Sequence, residues 1–229
     1  MIRRDYILRM IEEFMQALSR MRALKQGQRW AEAGDELDAE FRKLIGDSTQ
    51  STTRLSETDL LTKLMQGGPT HLVRDKTLML TTLLTEAGDV AAAEGREAES
   101  RACYLKALHL LLDVLSHDEV CECPEFVPKV EMLLAALRSS ALPVRTQAML
   151  MQHYERTGAF AKAEDALFAM HEAEPDNQAI AEFGIAFYQR LLGHNDTTLV
   201  AGGLPRLEAE DGLKQLQARA PAPHPALRN

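Results

Sequence analysis

LMQHYERTGAFAKAEDALFAMHEAEPDN, residues 150–177, reads as two helices joined by a glycine turn. Pro143 opens the first helix near Val144, and Thr157-Gly158 ends it. Residues 160–173 form the second, which Pro175 breaks. Gly158 lets the chain reverse, Ala163 lets the two helices approach, and Tyr154 and Phe160 fill the groove between them. A second stretch, LLTEAGDVAAAEGREAESRACYLKALHLL at residues 83–111, carries the same devices. There Gly95 makes the turn, Ser100 and Ala107 are the small contacts, and Tyr104 and Leu108 are the large ones.

Working outward, residues 2–26 predict one long helix. Ile7, Met10, Ile11, Phe14, Leu18, Met21 and Leu24 recur at steps of three and four on one face. Helices follow over 29–45, 57–65, about 75–93, 97–117 and 125–139, and over a stretch that Asp176 or Asn177 caps and that ends at Leu192. The last expected helix covers 206–218. The stretches 47–54, 116–124 and 195–205 read as loops, and the tail 219–229, with Pro221, Pro223 and Pro225, as disordered.

Both quoted stretches resemble the tetratricopeptide repeat, a helix–turn–helix unit. The two units are out of register with a regular array, and KQGQRWAEA at 25–33 is a weaker third version. The expected fold class is therefore all-α, an irregular tetratricopeptide-like stack of antiparallel helix pairs (an alpha-alpha superhelix). One domain is expected over 1–218, with an N-terminal hairpin at 1–46 and repeat-like units at about 76–117 and 143–175. Taken whole, the chain also resembles an uncharacterised bacterial family of tetratricopeptide-like proteins. The residues that carry this are RRDYILRMIEEF (3–14), TGAFAKAEDALF (157–168), FYQRLL (187–192) and AGGLPRLEAEDGL (201–213). The resemblance implies the fold and supplies no catalytic residue.

Composition agrees with helices. Among 229 residues, Ala and Leu number 31 and 34, while Val and Ile number 8 and 6, too few β-branched residues for a sheet protein. The net charge of −8 argues against general nucleic-acid binding. Residues 1–30 depart from it, with Arg3, Arg4, Arg9, Arg20, Arg22, Lys25 and Arg29 against Asp5, Glu12 and Glu13. This helix is expected to pack on the body of the chain or on a second copy. Contact with an anionic membrane surface is the alternative. Three cysteines without framework spacing fit a reducing, cytoplasmic setting.

Three places are candidate sites. The outward face of the 144–157 helix presents Arg145, Gln152, Glu155 and Arg156, a candidate protein-binding surface; the plainer reading is solvated residues. The equivalent set in the earlier unit is Thr82, Thr85, Asp89, Ala92 and Ala93. His117, Cys121 and Cys123 have ligand chemistry for zinc or copper, but tight zinc sites show two such clusters and here there is one. A redox role for Cys121 and Cys123 is a further alternative, although redox pairs prefer two intervening residues and a helix N-terminus; the plainer reading is free thiols in a turn. No Walker loop, dinucleotide fingerprint, HExxH or nucleophile elbow is present, so the chain is not expected to be an enzyme and no cofactor is expected. The expected partners are a protein or peptide, or a second copy in a homodimer.

Overall fold

The computed structural model describes residues 2–66, 72–117 and 123–219, with side chains from residue 7. The described residues contain twelve α-helices and no strand. They fall into two compact units, divided between Ala141 and Leu142.

The first unit holds α1 (Ile2–Gln26), α2 (Trp30–Ile45), α3 (Thr49–Arg54), α4 (Glu57–Gln66), α5 (Val73–Ala93), α6 (Glu97–His117) and α7 (Val130–Leu137). At its centre is α5, packed on α2 and α4 and most extensively on its hairpin partner α6. Its buried set goes beyond the apolar Leu78, Leu80, Leu83, Leu84 and Ala87. Lys76, Thr77, Thr81, Thr82 and Glu86 are buried as well. The threonines are tolerated because their hydroxyls donate to carbonyls one turn back. Thr77 bonds Val73, Thr81 bonds Thr77, Thr82 bonds Leu78 and Thr85 bonds Thr81, at 2.7–3.0 Å.

Glu86 is neutralised from α1. Arg22 Nε donates to its Oε1 at 2.9 Å, and Lys25 pairs with its Oε2. Lys25 also reaches Asp89 at 2.5 Å. The described basic side chains of α1, Arg9, Arg20, Arg22 and Lys25, are each paired within the chain, as is Arg29 in the turn that follows. Arg20 pairs with Glu36 of α2, and Arg9 and Arg29 pair with Glu13 and Glu32.

Behind α6, the chain returns over α1 and α5. Phe126 packs edge-on against Phe14, with ring centroids 5.3 Å apart, and its carbonyl lies 3.4 Å from the Thr82 hydroxyl. The surface expected to open at Thr82 is therefore covered, and Asp89 is engaged by Lys25 and Tyr104. Of that set, Ala92 and Ala93 are exposed.

The second unit holds α8 (Val144–Arg156), α9 (Phe160–Ala173), α10 (Gln178–Leu191), α11 (Asp196–Ala201) and α12 (Arg206–Arg219). Its core gathers Leu150, Met151, Phe160, Leu167, Phe187 and Tyr188. The turn read at Gly158 has φ +76°, and Ala159 N–H closes it on the Tyr154 carbonyl at 2.8 Å. Gly95 repeats the device in the first unit at φ +74°, with Arg96 N–H on the Ala91 carbonyl at 2.8 Å.

Four elements differ from expectation. Residues 49–54 form α3, because the Ser48 side chain caps it by accepting from Ser51 N–H. Residues 196–201 form α11, capped by Asn195. Helix α5 starts at Val73, ahead of the expected 75, with Asp75 in its first turn. The 125–139 helix shrinks to α7, since Pro124 and Pro128 hold the preceding chain out of helix. Of the two caps weighed for α10, Asn177 is the one used, accepting from Ala179 N–H at 3.0 Å. The tail from 220 onward lies outside the described residues.

Candidate functional site

In α8 the apolar spacing turns Thr146, Leu150, Met151 and Tyr154 inward. Arg145, Gln152 and Arg156 are left on the opposite side, where all three are exposed. Their steps of seven and four place them along one stripe of the helix. Glu155, beside them, is half-buried and already used. Arg190 of α10 grips its carboxylate with both arms, Nε to Oε1 at 2.7 Å and a terminal nitrogen to Oε2 at 2.8 Å. The carboxylate in turn holds the Arg190 guanidinium above its ordinary pKa. This fork ties α8 to α10 beside the exposed stripe. Such a pair, half open to solvent, contributes about 0.5–1 kcal/mol.

Arg190 was not legible as part of this surface. It sits in FYQRLL among core residues, and only the meeting of α8 with α10 brings it to Glu155.

The cysteine turn is only partly described. Cys121 lies outside the described residues. His117, at the end of α6, is exposed and turns its Nδ1 back toward its own helix, 2.8 Å from the Asp113 carbonyl and 3.0 Å from the Ser116 hydroxyl. Cys123 is half-buried, and neither it nor Cys103 is in a disulfide. Among the described residues, no group of three His, Cys, Asp or Glu side chains is placed to hold a metal ion. Cys103 is buried in α6. Burial, with some help from Glu99, pushes its thiol up to about 12.

The side chains of Arg3 and Arg4, invoked for a membrane surface, lie outside the described ones. Among the described residues no helix is long and apolar enough to cross a membrane.

Comparison with known proteins places residues 1–220 in a family of unknown function (DUF6483), and the chain belongs to that family. No curated protein and no solved structure matches it.

Proposed function

We propose that this protein is a non-enzymatic interaction or scaffold module, an irregular tetratricopeptide-like stack that binds a protein or peptide along α8. The observation that carries this reading is the exposed stripe of Arg145, Gln152 and Arg156, beside the Glu155–Arg190 fork. Stacked helix pairs present broad surfaces of this kind, and the step from architecture to binding is an argument by fold. The repeated turns at Gly95 and Gly158, each followed by a second helix packed on the first, support the tetratricopeptide-like part. Self-association through the N-terminal helix and a reducing, cytoplasmic, bacterial setting belong to the same proposal.

The surface is not a carboxylate clamp of the chaperone type, which would need several Lys, Asn and Arg side chains along the helix. A partner is instead held by backbone and side-chain hydrogen bonds to Gln152 and the two guanidiniums.

A photo-crosslinking residue at position 152 tests the reading in cells, alongside sedimentation of the purified chain. The expected result is one dominant adduct, lost in the Arg145→Glu, Arg156→Glu double variant. A strictly monomeric profile with no adduct that depends on those arginines overturns it.

A further inference from the structure

A cavity of about 440 Å³ opens in the first unit between α2, the start of α3 and the turn from α5 into α6. This is within the size range of small-molecule sites. Its wall on α2 begins at Trp30, the only tryptophan of the chain, and passes Gly34 one turn later. Leu37, Ala87 and Val90, each no more than 3 % exposed, form a closed floor. The room lies above that floor. Trp30 and Gly34 are half-buried, and a β-carbon added at Gly34 would meet nothing within 4 Å.

This open space sets Gly34 apart from the other glycines inside helices. Gly88, Gly184 and Gly212 each lie under a side chain of a neighbouring helix, and an added β-carbon would stand 2.4–2.8 Å from it. Packing therefore explains those three and does not explain Gly34. Glycine is the poorest helix former after proline, so alanine would serve α2 better as a helix. What glycine supplies at position 34 is a notch beside the Trp30 indole.

Charge selects the occupant. Arg96 pairs with both Glu94 and Glu99, one cation against two carboxylates. Asp38 is matched by Arg42 at 3.1 Å and accepts from Thr49 N–H at 2.9 Å. Asp35 is exposed and meets no cation among the described residues. The lining, with Arg42 counted, thus keeps two negative charges in excess, one at Glu94 and Glu99 and one across the cavity at Asp35. Trp30 and Glu94 share an end of the cavity, since each follows closely on one member of the Lys25–Asp89 pair.

We infer that this cavity binds a short aliphatic diamine as its dication. Its methylene chain lies in the notch at Gly34, one ammonium toward Asp35 and the other toward Trp30 and the Glu94–Glu99 pair. From Trp30 to Asp35 the α2 axis advances about 7.5 Å, close to the span between the nitrogens of a five-carbon diamine. An indole beside an ammonium adds cation–π attraction to that of the carboxylates.

The test is titration of the full chain with 1,5-diaminopentane, followed by calorimetry and by the fluorescence of Trp30, which is unambiguous because the chain has no other tryptophan. The expected result is one saturable site in both measurements. Pentylamine, with a single ammonium, binds about tenfold more weakly or worse. Magnesium ion, which has the charge without the carbon chain, does not displace the diamine. Asp35→Asn, at an exposed position, removes the preference for diamine over pentylamine. Gly34→Leu fills the notch and weakens both amines about tenfold in a chain that circular dichroism shows to be folded. Absence of a saturable site in the folded protein overturns the inference, and so does pentylamine or magnesium binding as tightly as the diamine. Diamine affinity unchanged in the folded Asp35→Asn or Gly34→Leu protein overturns it too.

Discussion

The Tyr104 ring lies against the α-carbon of Gly88, so closely that a β-carbon added there would stand 2.8 Å from the ring. The contact joins α5 to α6, and the Tyr104 hydroxyl completes it by donating to Asp89 Oδ1 at 2.5 Å. Position 88 needs glycine because an aromatic ring occupies the space of a side chain. Gly88→Ala is expected to destabilise the protein by about 1–3 kcal/mol, the usual cost of overpacking. Tyr104→Phe removes only the hydrogen bond and costs about 1 kcal/mol. Urea denaturation of the two variants separates them, and equal losses would contradict this account.

Breaking the link between α1 and α5 is a larger change. Glu86→Ala leaves the half-buried Lys25 with Asp89 and removes the carboxylate that Arg22 pairs with. Loss of one member of a buried pair costs about 3–5 kcal/mol, and the half-exposed Arg22 brings the expectation to the lower end. Glu86→Gln, whose single amide oxygen can accept from only one of Arg22 and Lys25 and which removes the charge, falls between wild type and Glu86→Ala in the same denaturation experiment.

The thiols are expected to differ in reactivity. In a Cys121→Ser background at pH 8, an aromatic disulfide reagent modifies Cys123 and leaves Cys103 untouched until the protein unfolds. Cys103 ionises near 12 when folded, against an ordinary value of 9.0. Its folded value is raised, so its contribution to stability is complete below pH 9 and is lost as pH rises from there toward 12. Rapid native labelling of Cys103 at pH 8 would refute the burial argument.

Glu164 of α9 gives a prediction of pH dependence. Burial, the largest influence, raises its carboxyl above the usual range, although the Tyr188 hydroxyl donates to it at 2.5 Å. A raised folded value means the stabilising contribution is present in acid and is lost as pH rises through that value. Above that value the folded state holds a disfavoured charge. Glu164→Gln keeps an acceptor for Tyr188 and is expected to equal or exceed wild type in stability at pH 7, with the difference closing by pH 4. A wider gap in acid would reverse the assignment.

The punctuation of the chain was legible in its sequence. Gly95, Gly158 and Pro175 separate or end helices, as their turn chemistry predicts. The short helices α3 and α11 were not legible, because their residues are polar and only the caps at Ser48 and Asn195 distinguish them from loop. The burial of α5 was hidden for a different reason. Thr81, Thr82 and Glu86 look like a solvated face until one knows that each hydroxyl bonds its own helix and that α1 supplies the countercharge. The stripe on α8 followed from periodicity, but the engagement of Glu155 did not, since its partner lies 35 residues away.

The packing of Phe126 on Phe14 also sets an order of events during synthesis. Helix α1 leaves the ribosome first, yet part of the apolar cover over its Phe14 is translated only after α6. Until then α1 can dock on α2 and α5 but leaves that ring uncovered. A nascent chain arrested before Phe126 emerges should therefore expose Phe14 to chaperones, and one arrested well beyond it should not.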